Sequence, residues 1–208
     1  MLPAESLLPF ITASVLLAIA PGPDNIFVLT QSTLYGKRAG ILITLGLCTG
    51  LIFHTSLVAL GIATLLQTSS WAFDAVKTLG AIYLLILARQ IWKAPLQQLA
   101  GEGPMLDDAT LYVRGIIMNM TNPKVSIFFL AFLPQFADAD HGSVAAQIFL
   151  LGALFGVVSL MIFSGIAVVA AQLGHLLQQK PQTQLYLNWL TALILVLLSL
   201  KLLLMNNI

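Results

Sequence analysis

Charge is the scarcest commodity in this chain. Only 8% of its 208 residues are Asp, Glu, Lys or Arg, where a soluble globular domain carries about a quarter. Hydrophobic residues make up 59%, and the mean hydropathy is +0.96. A chain so poor in polar groups cannot clothe a water-facing surface, so it reads as an integral membrane protein. What charge there is nearly cancels, to a net +1, which leaves no basic face for nucleic acid and no like-charged block for a disordered tail. Cysteine is equally sparse. Cys48 stands alone, which excludes a disulfide framework and a thiol relay, since both need pairs, and leaves a small packing residue. Three histidines, His54, His141 and His175, fall on different segments without the H-E-x-x-H spacing of a membrane zinc protease. No P-loop glycine-lysine pattern is present to bind ATP, and Ser164-Gly165 lacks the flanking pattern of a serine nucleophile. Neither an enzyme nor a cofactor-binding protein is supported.

Long apolar runs are what the chain has in abundance. They fall at about 5–31, 39–67, 71–92, 113–136, 143–174 and 184–205, each able to cross about 30 Å of hydrocarbon with some tilt. Ten-residue alternating segments are missing, so a closed barrel is out and every span is predicted to be helical. The opening "MLPAESLLPFITASVLLAIA" has no positive n-region and no A-x-A cleavage site, and reads as a retained first span. Trp71, Trp92, Tyr112 and Tyr186 lie at segment ends, as interfacial aromatics do.

Basic residues set the expected orientation. Lys37 and Arg38 lie in connection 1, Arg89, Lys93 and Arg114 flank connection 3, and Lys180 lies in connection 5, whereas connections 2 and 4 carry none. The positive-inside bias then places connections 1, 3 and 5 in the cytoplasm and both termini outside, with Lys77 and Lys201 weighing slightly against. The polar stretch over 93–112 reads as a cytoplasmic linker between residues 1–92 and 113–208. These halves echo each other. Pro23-Asp24 answers Pro123-Lys124, "GLCTG" from Gly46 answers "GALFG" from Gly152, and "LGAIYLLIL" from Leu79 answers "LTALILVLL" from Leu190. Three matches in one order predict an internal repeat, and three spans per half would turn the second copy upside down in the membrane.

Within the first and fourth runs, proline breaks the helix. In "IAPGPDN" the helix is predicted to stop near Pro21 and restart with Gly22 as N-cap, Pro23 at the first helical position and Asp24 in the first turn. In "TNPK", Asn122, Pro123 and Lys124 repeat the arrangement. Each break offers unpaired N–H groups and a positive dipole end, a place for an anion, and a broken helix at membrane depth lines a cavity or is buried in protein. A charge near the bilayer centre costs at least about 2.5 to 3.5 kcal/mol, so Asp24 and Lys124 need a reason to be there. Asp24 complements its helix dipole, but Lys124 opposes its own. The expected reason is Asp24 itself, brought close by the repeat, or an anionic group on a ligand. A purely structural kink and ion pair is the plain alternative. His54 follows Gly46 and Gly50 at steps of four, on a face where small residues admit another helix, and its ordinary pKa suits proton handling. Asn25, Asn119 and Asn122 add neutral polar groups near the breaks.

Taken together, "APGPDNIFVLTQSTLYGKRAG" from Ala20, "LGAIYLL" from Leu79 and "MTNPKVSIFFLAFLPQF" from Met120 resemble the LysE/RhtB family of bacterial amino-acid exporters. The likeness runs over nearly the whole chain. It implies an inner-membrane protein that exports amino acids with basic, hydroxylated or branched aliphatic side chains, driven by the proton or membrane potential. The expected architecture is all-helical, with six transmembrane helices as two inverted repeats. Substrate is expected at Gly22, Asp24, Asn25, Asn122 and Lys124, the breaks at Pro21, Pro23 and Pro123, and proton coupling at Asp24 or His54. Two rival readings stand beside it: export of a metal ion or other cation, disfavoured by so few ligating residues, and a structural membrane partner without transport. Paired small residues leave room for a homo-oligomer.

Overall fold

The computed structural model describes residues 2, 4–68, 70–93, 105–178 and 181–204, and all its regular elements are helical. In chain order the α-helices are α1 (Ala4–Ile19), α2 (Pro23–Tyr35), α3 (Lys37–Thr68), α4 (Ser70–Trp92), α5 (Asp108–Thr121), α6 (Pro123–Ile127), α7 (Val144–Gln178) and α8 (Pro181–Leu204). After α6 the chain continues without a gap through a π-helical turn, Phe128–Phe132, and a 3₁₀ turn, Leu133–Phe136, that contains Pro134.

Both predicted breaks are present. The axis bends by 56° between α1 and α2 and by 49° between α5 and the α6 segment. Each bend has a local cause. Gly22 is extended, with φ −168° and ψ 178°, and Pro23 opens α2 where its missing N–H costs nothing. Asn122 is held at φ −75° and ψ 108°, since the ring of the following Pro123 disfavours the helical region for the residue before it. By length and composition, two helices among the described residues can cross a membrane, within Lys37–Gly61 and Val144–Gln172, or up to four if each bent pair counts as one span. The apolar stretches Thr78–Trp92 of α4 and Asn188–Leu200 of α8 are shorter. The protein is therefore a multi-pass, all-helical membrane protein.

Packing around the second break comes from an aromatic cluster. Phe10 of α1 meets Phe136 at 5.2 Å between ring centroids, and Phe128 meets Phe155 of α7 at 5.1 Å. A smaller apolar cluster, with Val28, Ile43, Leu47 and Phe163, lies beside the first. The glycine face of α3 meets α5: a Cβ on Gly46 would lie 3.0 Å from Gly115 Cα, and one on Gly50 would lie 2.7 Å from Asn119 Cβ. α4 and α8 pair with each other, stacking Trp92 on Trp189 at 5.5 Å and joining Ser199 Oγ to the Ala81 carbonyl at 3.0 Å. The matched stretches from Leu79 and Leu190 thus lie on packed partners.

Residues 94–104 of the expected linker, and Lys180, lie outside the described residues. The described end of the linker is ordered by Asp107, whose carboxylate accepts the Thr110 N–H at 2.9 Å and the Thr110 hydroxyl at 2.6 Å to cap α5. Those two donors hold its carboxyl below the usual range. Residues 108–112, placed in the linker by the sequence pattern, therefore belong to α5. Arg38 at the start of α3 pairs with Asp108 at the start of α5, which puts these two helix starts at one end of the bundle.

Candidate functional site

The site is made where the two breaks meet, and backbone carbonyls explain its construction. A helix ends with carbonyls that lack an N–H four residues on. At the end of α1, Pro21 has no N–H to give Leu17, and the extended Gly22 turns away from Ala18. The side chain of Lys124, from the other half of the chain, takes the first role: its Nζ donates to Leu17 O at 3.2 Å and to Ala20 O at 2.8 Å. Asn25 Nδ2 donates to Ala18 O at 2.8 Å, while Asn25 Oδ1 lies 3.5 Å from Lys124 Nζ. Gly22 makes room for this, since a Cβ there would sit 3.1 Å from the ammonium.

This corrects one expectation. Lys124 was expected to pair with Asp24, yet no salt bridge joins them; the ammonium sits instead against the negative end of the α1 dipole, where a cation is favourable. The unfavourable dipole of its own helix is thereby offset by that of another. Asp24, 1% exposed, is left with Oδ1 lacking any hydrogen-bond partner. Gly22 has no side chain with which to cap α2, so the helix opens without a side-chain cap hydrogen bond.

At the second break the same logic recurs with different residues. Pro123 cannot donate to the Asn119 carbonyl. That oxygen accepts the Asn122 N–H at 3.0 Å and lies 3.1 Å from His54 Nε2 of α3. Because a carbonyl only accepts, the geometry requires the hydrogen on Nε2. Asn122 Oδ1 accepts the Lys124 N–H at 3.0 Å, whereas Asn122 Nδ2 and Asn119 Oδ1 have no partner. The glycine-spaced face carrying His54 thus reaches the break itself.

Between the breaks lies a small cavity. Asp24, Lys124 and Asn119 supply its charged and amide groups, Cys48 and Ser159 its smaller polar ones, and Leu17, Leu47, Leu51, Val125, Phe155 and Phe163 most of its apolar wall. Its free space admits about one water molecule, so this conformation leaves no room for a substrate between the charges. Of the expected site residues, Asp24 and Lys124 line the cavity, Gly22, Asn25 and Asn122 position them, and His54 stands behind Asn119. Sequence reasoning missed Ser159, which carries no spacing signal, and placed Cys48 only as packing. Among the described residues, no three His, Cys, Asp or Glu side chains gather as metal ligands would.

Comparison with known proteins gives the family. The family model described as LysE type translocator matches residues 15–206. The chain is 34% identical over 172 residues to a homoserine/homoserine lactone efflux protein of Salmonella typhimurium, covering 79% of this chain and 80% of that one. It is 33% identical over 172 residues to an uncharacterized membrane protein of Vibrio cholerae, covering 81% and 82%. A leucine efflux protein of Salmonella choleraesuis is 29% identical over 189 residues, covering 90% and 89%. No solved structure matches.

Proposed function

Because the chain belongs to the LysE type translocator family, whose members are efflux transporters and not enzymes, we propose that it is a secondary active exporter of amino acids in the bacterial inner membrane. The observation that carries this reading is the buried carboxylate of Asp24, whose Oδ1 has no hydrogen-bond partner, beside a buried ammonium at a small cavity between two broken helices. A zwitterion fits those two charges. Its ammonium group meets Asp24 Oδ1, and its carboxylate meets Lys124 and the free N–H groups that open α2. Lys124 need move only from the carbonyls of α1, which a charged ligand can outbid because a hydrogen bond between two ions is stronger than one to a neutral carbonyl.

Proton coupling follows from the same carboxylate. A proton and a substrate ammonium compete for Asp24, and a carrier that holds one or the other moves them in opposite directions. His54, bonded to the carbonyl freed at the second break, is the second candidate for this coupling. In this reading six spans form two inverted three-helix repeats. Connections 1, 3 and 5 are cytoplasmic and both termini outside, and the site opens to alternate sides as one repeat rocks against the other. The names of the efflux relatives, for homoserine and its lactone and for leucine, support amino acids as the cargo.

The test is efflux of labelled amino acids from loaded proteoliposomes under imposed pH and voltage gradients. Wild type should show selective, gradient-driven efflux. Asp24→Asn and Lys124→Met should each abolish it while still giving protein that inserts and purifies. Equal efflux from all three would show that the charges are structural only.

A further inference from the structure

The two charges of the cavity account for the ends of an amino acid common to all of them, which leaves its side chain to the remaining lining. Among the described residues, six Ser and Thr hydroxyls are buried. Ser14, Ser32, Thr44 and Thr55 donate to the carbonyl four residues earlier at 2.6 to 2.8 Å, the usual refuge of a hydroxyl on a membrane helix. Ser199 donates across to Ala81 O at 3.0 Å. Ser159, 2% exposed in the middle of α7, is the exception, because its Oγ has no partner. It lies on the cavity shared with Asp24 and Lys124. A hydroxyl forgoing the carbonyl within reach on its own helix, among Leu47, Leu51, Phe155 and Phe163, is costly unless something else engages it.

We propose that Ser159 is a specificity-determining residue, whose hydroxyl hydrogen-bonds a hydroxyl on the side chain of a neutral amino acid held by Asp24 and Lys124. The proposal rests on the exporter reading above and narrows its substrate. The lining selects in two ways. It holds one carboxylate, engaged by the substrate's own ammonium, so a second cation on the side chain would find Lys124 as its charged neighbour and no acid. An apolar side chain would be welcomed by the leucines and phenylalanines, but it would seal Ser159 away from water with nothing to bond. A site with a buried polar group discriminates against the ligand that leaves that group unpaired.

The experiment compares wild type, Ser159→Ala and Ser159→Cys in proteoliposomes loaded with homoserine, threonine, 2-aminobutyrate or lysine. Replacing the hydroxyl of either homoserine or threonine by hydrogen gives 2-aminobutyrate, so the comparison isolates one group. Wild type is expected to export at least one hydroxylated substrate about 3- to 10-fold more efficiently than 2-aminobutyrate, the range for one net hydrogen bond, and not to export lysine. Ser159→Ala should bring that ratio close to one, and Ser159→Cys, similar in shape with a weaker donor, should fall between. Both substrates are read on the same preparation, so a loss of folded protein cancels in the ratio. An unchanged ratio in Ser159→Ala, no preference in wild type, or export of lysine would overturn the assignment while gradient-driven efflux left the exporter reading standing. Absence of efflux for every amino acid would overturn both.

Discussion

Replacing Gly50 by Ala tests the packing that holds the second break. The added Cβ would lie 2.7 Å from Asn119 Cβ and 3.0 Å from the Ile116 carbonyl oxygen, where carbon atoms come to rest about 3.5 to 4.0 Å apart. Both neighbours are fixed to the α5 backbone, so no rotamer change relieves the contact and α3 and α5 must part by about 1 Å. His54 lies one turn along the same face. Its 3.1 Å contact with Asn119 O would open to about 4 Å, beyond hydrogen-bond range. Overpacking costs about 1 to 3 kcal/mol and the lost hydrogen bond about 0.5 to 1.5. Against this, Ala is favoured over Gly in a helix by about 1 kcal/mol, so a net loss of about 0.5 to 3.5 kcal/mol is expected. That corresponds to a fall in Tm of about 1 to 14 °C for a chain of this size. Gly165→Ala on α7 is the matched control. Nothing lies within 4 Å of a Cβ there, so it should hold or raise Tm. Thermal unfolding of both variants in detergent, followed by circular dichroism, with efflux measured on the same preparations, decides the matter. A Gly50→Ala protein as stable as wild type would refute the close approach of α3 to α5.

Two further outcomes follow from the same geometry. His54→Leu should destabilise the protein, and Pro123→Ala, which returns an N–H able to reach Asn119 O, should soften that loss; a double-mutant cycle in which the two effects add within about 0.5 kcal/mol would sink the idea that His54 serves the proline-freed carbonyl. Asp107 titrates below its ordinary value of 3.8 because Thr110 donates to its charged form. Its contribution is therefore present above that value and lost as pH falls through the lower folded one. Asp107→Ala should flatten the acid limb of the Tm–pH curve and leave efflux at neutral pH unchanged, and coincident acid limbs would remove the cap from the account.

How much of this could be read in advance depends on whether the signal was local. Pro21, Pro23 and Pro123 announce the breaks because proline's lost N–H is a property of the residue itself, and the glycine steps to His54 mark a face by spacing alone. The partner of Lys124 was not legible. Its acceptors are carbonyls of Leu17 and Ala20, and every residue has a carbonyl, so nothing in the letters distinguishes those two from any others. Reasoning from charge alone looked for an acid and found Asp24. Gly115, which meets Gly46, has no spaced companion to mark it as a contact. Ser159 hid for a different reason: what sets it apart is a hydrogen bond it does not make, and that is visible only when its rotamer is seen beside those of Ser14, Ser32 and Thr55. The start of α5 was signalled by the Asp107 and Thr110 cap, but the polar composition around it outweighed that cue.

The reach of Lys124 to Ala20 spans 104 residues of chain, and this has a consequence for biogenesis. Synthesis at about 5 to 20 residues per second separates the two by about 5 to 20 s. Throughout that interval the carbonyl end of α1 lacks the ammonium that caps it. Neither half is a finished module: the first is an unsealed template whose final stitch is sewn by a lysine from the second, so any quality-control machinery that surveys membrane helices meets a defect until the chain is more than half made.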